Sequence, residues 1–287
     1  MLRNKVREVL DAGGMAIGTW VEMRNPEACE AAAASGFDFI VMDGEHGSFG
    51  VEGAVELIRA VEAGGSTPVL RLPDGSPTAI QKALEAGAVG IFISEVRTGE
   101  EARQIVRATK YAPAGTRGTS PHIRATMHGA LDWKEYAEWI EKNVMVWMMI
   151  ENTDAVKNID AILASGVDAV YLGAFDLSMS MGLKGNFTHP DVVKAQDQVL
   201  QSALSKGVDV AMNLDLASLG ARTGEVALKE ADTLSQIAQD RVPSTPEEFL
   251  EAARIWREKG CRIGTILTDR QILTDTYRKI TAKLQEL

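Results

Sequence analysis

The feature that most constrains the fold is an unbroken apolar run, Val144-Met145-Val146-Trp147-Met148-Met149-Ile150, closed by the acid Glu151 and by Asn152. A continuous apolar segment of this length suits a strand buried on both faces, as in a parallel sheet covered by helices. Folds of that kind place their chemistry at the carboxyl ends of the strands. A second run, Ala169-Val170-Tyr171-Leu172-Gly173-Ala174-Phe175, leads into Asp176 in the same manner. Two buried strands that each end near an acid suggest one metal site.

Strand and helix patterns alternate along the rest of the chain. Strands are expected over Met15–Met23, Phe37–Asp43, Pro68–Leu72 and Ala88–Val96, over the two runs above, and over Val208–Asn213 and Arg262–Thr268. Helices are expected from Asn25-Pro26-Glu27 to Ser35, over Val51–Ala63, from Ser76-Pro77 onward, and over Gly99–Thr109 and Asp132–Lys142. Others follow at Thr153–Ala164, Asp191–Ser205, Pro246–Lys259 and Asp269–Leu287. Polar caps followed by proline mark several of the starts. Eight such units in 287 residues predict one α/β domain over 1–287, a closed (β/α)8 TIM barrel. A doubly wound open sheet is the runner-up. It would carry a glycine-rich phosphate loop after its first strand, whereas Gly13-Gly14 precedes that strand. Two segments break the rhythm. Lys110–Gly129 holds Arg117, His122, Arg124 and His128 among prolines and glycines, and a loop of that length is usually functional or disordered. A polar stretch at about 214–242 reads as an insertion after the seventh strand.

The formal charge of −10 argues against nucleic-acid or anionic-membrane partners, which need clustered Lys and Arg. It still allows an anionic small substrate, since a few cations reverse a local field. No apolar run approaches the roughly 20 residues that span a bilayer. The start, Met1 to Glu8, lacks the apolar core of a signal peptide. Cys29 and Cys261 are too far apart in sequence to form a metal-spaced or redox motif. A soluble cytoplasmic protein is expected.

Polar residues stand at or just beyond four strand ends: Asp43-Gly44-Glu45-His46, Arg71, Glu151 and Asp176. In a barrel these ends share one face. Two carboxylates without a neighbouring His or Cys ligand suit a hard cation, Mg2+ or Mn2+, with Co2+ also admissible. Such a site leaves coordination positions for water and for a chelating 2-oxo acid. Arg71 is placed to neutralise the oxygen on which enolate charge develops. Histidine is the one side-chain type in the set whose ordinary titration falls near neutrality, which makes His46 the natural base. Each residue also has a plainer reading. Glu151 and Asp176 can cap the segments that follow them, Arg71 can pair with an acid, and a single His is more often structural than catalytic. Their joint occurrence favours the site. Trp20 and Phe175, near strand ends, read first as packing.

At these residues the chain resembles the HpcH/HpaI aldolase family of metal-dependent pyruvate aldolases, which act on 4-hydroxy-2-oxo acids. The shared blocks are Gly36-Phe37-Asp38-Phe39 leading to Asp43-Gly44-Glu45-His46-Gly47, then Leu70-Arg71-Leu72-Pro73 and Tyr111-Ala112-Pro113-Ala114-Gly115-Thr116-Arg117-Gly118. Ile150-Glu151 and Gly173 through Gly182 complete the set. The resemblance implies a (β/α)8 barrel whose last helix swaps between partners in a homo-oligomer, commonly a hexamer. It implies Glu151 and Asp176 as metal ligands, His46 in an acid/base relay oriented by Glu85, and Arg71 on the pyruvate oxygens. Gly173, Ala174, Phe175 and Trp20 would line the substrate. Pyruvate would chelate the metal, lose a methyl proton and attack an aldehyde, with cleavage the reverse. The chain departs from the family's pattern at several places. Met149 stands where a Gln commonly precedes the metal Glu, and Glu85 stands where the orienting acid is usually Asp. Ser94 replaces the strand-four Pro and Ala174 the Pro after Gly173. The alternatives are related chemistry on the same barrel (a decarboxylase or acyl-CoA lyase) and a 2-oxo-acid-binding barrel with little turnover. A CoA lyase would need phosphate-binding cations, for which Arg97, Arg103, Arg107 and Lys110 are candidates, although their spacing also reads as a solvated helix face.

Overall fold

The computed structural model describes residues 3–214 and 245–287. The chain begins with α1 (Lys5–Asp11), then β1 (Ala16–Val21), α2 (Pro26–Ala34), β2 (Phe39–Asp43), α3 (Val51–Ala63), β3 (Thr67–Leu72), α4 (Pro77–Ala86), β4 (Gly90–Ile93) and α5 (Gly99–Thr109). A 3-10 turn (Arg124–Gly129), α6 (Trp133–Asn143), β5 (Met145–Ile150), α7 (Thr153–Lys157), α8 (Ile159–Leu163), β6 (Ala169–Leu172), α9 (Ala174–Ser180), α10 (Pro190–Ser205) and β7 (Asp209–Asn213) follow. Beyond the undescribed stretch come α11 (Pro246–Glu258), β8 (Ile263–Thr268) and α12 (Asp269–Leu284). The strands pair in parallel in sequence order, and β8 closes onto β1 through Ala16 opposite Ile263. The expected (β/α)8 barrel is the observed fold, and the closure rules out an open sheet. The insertion expected at 214–242 falls, past Leu214, outside the described residues. Among those residues no helix is long and apolar enough to cross a membrane.

The helix starts follow from local chemistry. Asn25 accepts from the Ala28 amide with Pro26 behind it, Ser76 accepts from Ala79 before Pro77, and Thr245 and Glu248 form a reciprocal capping box before Pro246. Four elements differ from expectation. The helix expected over Thr153–Ala164 is two, broken at Asn158, whose side chain donates to the Arg97 carbonyl at 2.9 Å. α1 and α9 were not expected, each being only seven residues long. β4 stops early because, after the Ser94 amide makes a last bond to the Leu72 carbonyl at 3.2 Å, Glu95 turns into the left-handed region at φ 58°.

Two apolar layers hold the barrel. The outer one lies between strands and helices. The inner one fills the barrel with Trp20, Phe39, Val41, Val69, Phe92, Met145, Trp147, Met149, Ala169, Tyr171, Ala211 and Ile263, while Val6 and Leu10 of α1 join it. Its rings stack through Trp147, 5.2 Å from Phe39 and 6.0 Å from Phe92, and through Trp20, 5.6 Å from Phe92. Aromatic side chains each bury about 150–250 Å², so this stack carries much of the inner core. Because strand side chains alternate between faces, the inward residues of β5 are Met145, Trp147, Met149 and next Glu151. The same period carries β2 from Val41 to Asp43, β3 from Val69 to Arg71, β4 from Phe92 to Ser94, and β6 from Tyr171 to Gly173. The core pattern therefore sets the polar residues on one rim.

Candidate active site

At the centre of the rim Arg71 is gripped by Asp43, its neighbour across the β2–β3 ladder. Arg71 Nε donates to Asp43 Oδ1 at 2.8 Å and Nη2 to Oδ2 at 2.5 Å, and both side chains are buried. Fork geometry of this kind is the strong form of the ion pair. Asp43 Oδ1 also accepts from the amides of Glu45 and His46 at 3.0 and 3.1 Å, folding the loop back over the strand. Burial alone would push the Asp43 carboxyl up. The Arg71 guanidinium and the two amides outweigh that and hold it below the usual carboxylate range. Beneath, the Trp20 ring lies 4.9 Å from the guanidinium carbon, so Trp20 is both floor and cation–π partner.

One oxygen of Glu45 joins the next three groups. Glu45 Oε2 accepts from Ser94 Oγ at 2.6 Å, lies 3.1 Å from Arg71 Nη1 and 3.9 Å from His46 Nε2. The imidazole of His46 is 65% exposed and stands at the mouth. Arg270, at the start of α12, donates to the carbonyls of His46 at 3.3 Å and Glu22 at 3.1 Å, tying the mouth to the last strand's end.

Glu151 is buried at the end of β5, where Oε1 accepts from the Glu95 amide at 2.6 Å. Burial pushes its carboxyl up to about 7 and the charges of Asp176, Glu45 and Glu95 add to the push, while the Glu95 amide opposes it. Asp176 sits in the first turn of α9, exposed to the mouth. Gly173 makes room for this arrangement: a Cβ there would lie 2.7 Å from Glu151 Cβ and 3.1 Å from Met149 Cγ. A buried carboxylate repelled by an acid beside it fits a divalent cation, which would relieve both the repulsion and the desolvation. Among the described residues no three His, Cys, Asp or Glu side chains are grouped to hold a metal. Glu151 and Asp176 would therefore be completed by water and substrate.

The structure brings together Arg71, His46, Glu151, Asp176, Trp20, Gly173 and Ala174, with Phe175 half exposed above them. It does not bring Glu85 to His46. Glu85 lies in the last turn of α4, which runs from the site's end of the barrel to the opposite one, and accepts from Gln81 at 2.9 Å. No ion pair within 4 Å joins Glu85 to His46, and Glu45 occupies that place. The loop over 110–129 lies at the same far end of the barrel. It leaves the carboxyl end of α5, and Arg124 pins it to Glu62 and to the Ala86 carbonyl at the far ends of α3 and α4. His122 and His128 are thus remote from the site. Arg117 is buried with its guanidinium 4.6 Å from the Tyr111 ring, so that block serves the loop's own packing. A cavity of about 330 Å³ beside Tyr111, Pro113 and Trp133 contains none of the expected site residues. Sequence reasoning gave no role to Asp43, Glu45, Ser94 or the Glu95 amide. The period-2 pattern of the inner core would have found the first and third.

A closed parallel barrel with ionisable groups gathered at its carboxyl rim is the architecture of an enzyme. Comparison with known proteins defines its class. The HpcH/HpaI aldolase/citrate lyase family matches residues 16–242. The 5-keto-4-deoxy-D-glucarate aldolase of Escherichia coli O139:H28 (strain E24377A / ETEC) is 32% identical over 277 residues, 96% of this chain and 97% of the relative. An HpcH/HpaI aldolase/citrate lyase family protein from Burkholderia cenocepacia J2315 superposes with a TM-score of 0.80 at 26% identity, covering 99% of this chain and 100% of the other. The HpcH/HpaI aldolase from Desulfitobacterium hafniense DCB-2 superposes with a TM-score of 0.78 at 25% identity, covering 98% and 96%. The protein is a carbon–carbon lyase on a (β/α)8 barrel. It belongs to the HpcH/HpaI aldolase/citrate lyase family.

The depressed Asp43 carboxyl makes stability depend on pH. A carboxyl held below its ordinary value contributes stability above the ordinary carboxylate range near about pH 4, and loses it as pH falls through the lowered value. In Arg71→Met the same carboxylate is buried without its cation, a loss of about 3–5 kcal/mol at pH 7. Acidification protonates it and narrows the gap. Urea unfolding of both proteins at pH 7 and in the acid range checks this, and a constant difference across that span would contradict it.

Proposed function

We propose that the protein is a divalent-cation-dependent aldolase that makes or cleaves a 4-hydroxy-2-oxo acid by enolising a bound 2-oxo acid such as pyruvate. The observation that carries this reading is the meeting of Glu151 and Asp176 with Arg71 on one rim. Mg2+, Mn2+ or Co2+ held by the two acids would supply Lewis-acid polarisation of the 2-oxo group. The substrate named for the Escherichia coli relative points to the same class. Numbered from its other carboxylate, 5-keto-4-deoxy-D-glucarate is a 2-oxo acid with a hydroxyl at carbon 4.

In cleavage, a base takes the carbon-4 hydroxyl proton and the electrons of the C3–C4 bond move toward the 2-oxo oxygen. An aldehyde leaves, and a proton returned to carbon 3 completes the 2-oxo acid. Arg71, fixed by Asp43, presents positive charge where that oxygen becomes negative. His46, at the mouth, moves the proton, and Trp20 with Gly173 and Ala174 bounds the space. Two of the four candidate phosphate cations of an acyl-CoA lyase are already paired: Arg97 with Glu95 and Asp154, and Arg103 with Glu100. This favours the aldolase reading.

Glu151→Gln and Asp176→Asn should each abolish Mn2+ binding measured by calorimetry, together with cleavage of 4-hydroxy-2-oxo acids. Treatment with EDTA should remove activity and an added cation restore it. Full activity after EDTA would overturn the reading.

We also propose that the working form is a homo-oligomer joined through α12, with a hexamer as the favoured assembly. This helix has no buried residue and lays Leu273, Tyr277, Ile280 and Leu284 along one stripe in the open. Sedimentation should show a multimer that Tyr277→Lys with Ile280→Glu dissociates. A monomeric wild-type protein would contradict this.

A further inference from the structure

We infer that Ser94 is a positioning residue for the proton-transfer half of the site, acting by holding the Glu45 carboxylate between Arg71 and His46. The inference rests on the aldolase reading above. It concerns a residue at which this chain departs from its relatives' proline, and a proline has no side-chain donor to offer.

Glu45 lies in the loop after β2, where a glutamate would ordinarily turn to solvent. Here a buried hydroxyl fixes it. Ser94 is 1% exposed, and its Oγ donates to Glu45 Oε2 at 2.6 Å, a bond to a charged acceptor. The same oxygen faces Arg71 Nη1 at 3.1 Å and His46 Nε2 at 3.9 Å. The imidazole has little else to orient it. Among the described residues the charged groups about its loop are Glu45 beside it, Asp43 and Arg71 on the strands beneath, Glu22 and Asp269 at the neighbouring strand ends, and Arg270, which pairs with Glu22 and reaches His46 at its carbonyl. The next residue extends the pattern. Glu95 adopts φ 58°, a conformation uncommon for a non-glycine residue, and its amide donates to Glu151. The turn that leaves β4 thus holds one acid of each half of the site: Glu45 through the Ser94 hydroxyl and Glu151 through the Glu95 amide.

The test compares Ser94→Ala, Ser94→Val and Ser94→Thr with the wild type by crystal structure and by steady-state cleavage of a 4-hydroxy-2-oxo acid. Val keeps the shape of Thr without the hydroxyl, so a packing effect separates from the hydrogen bond even where Ala unfolds. Ala and Val should release Glu45 Oε2 from its 3.1 Å approach to Arg71 Nη1 and let the carboxylate turn to solvent, away from His46. They should lower kcat about tenfold, the scale of one hydrogen bond to a charged group, with KM changed less than twofold. Thr should restore both. Glu45 unmoved in Ala and Val, or a kcat equal to wild type with Glu45 displaced, overturns the inference, as does a loss in Thr equal to that in Val. If the wild type cleaves no 4-hydroxy-2-oxo acid, the aldolase reading falls. The crystal comparison still decides whether Ser94 holds Glu45.

Discussion

The rim of this barrel depends on the buried pair of Asp43 and Arg71. Two charges taken from water cost several kcal/mol each unless geometry and further hydrogen bonds compensate. Here the fork is bidentate, two loop amides complete the Asp43 oxygen, and the Trp20 ring lies under the guanidinium. The arrangement does more than satisfy a buried acid. It aims the remaining nitrogen of Arg71 at Glu45 and folds the loop that carries His46 back toward the strand ends. In the proposed reaction a cation placed this firmly would meet developing negative charge without reorganising.

The other half of the site is held in the opposite electrostatic condition. Glu151 is pushed up to about 7 by burial and by the acids around it, against the pull of the Glu95 amide. The fold maintains that tension because Glu151 continues the inward series of β5, and Gly173 leaves no side chain to separate it from Met149. One half of the rim is thus overcompensated and rigid, and the other is short of positive charge. A chelating anion with a divalent cation would complete the second while its oxygens face the first.

Much of this was legible in the sequence. Uninterrupted apolar runs marked the strands, and their alternation predicted a closed barrel. Arg71, Glu151 and Asp176 were visible as polar interruptions at strand ends. Other polar residues lie away from the rim of their own chain for topological reasons. Glu85 was assigned to His46 by resemblance, yet it stands in the last turn of α4, and the end of a helix lies at the opposite end of the barrel from the loop after a strand. His122 and His128 follow a helix too, and both stand exposed in the loop. α1 offers only Val6 and Leu10 as core residues, too few to display a period. Ser94 was noticed only as a missing proline. Its donor role depends on where the β2 loop folds, and no local pattern reports that. Met149, singled out as a departure from relatives, proves to be inner-core packing against Gly173.

The central claim is that the two halves of the rim together enolise a 2-oxo acid. The most direct test follows the methyl protons of pyruvate by NMR in D2O, with enzyme, across Mg2+, Mn2+ and Co2+, and again after removal of divalent ions. Enolisation predicts deuterium entering carbon 3 faster than in buffer when a cation is present, and at the buffer rate when it is removed. Exchange at the buffer rate with every cation would contradict the account.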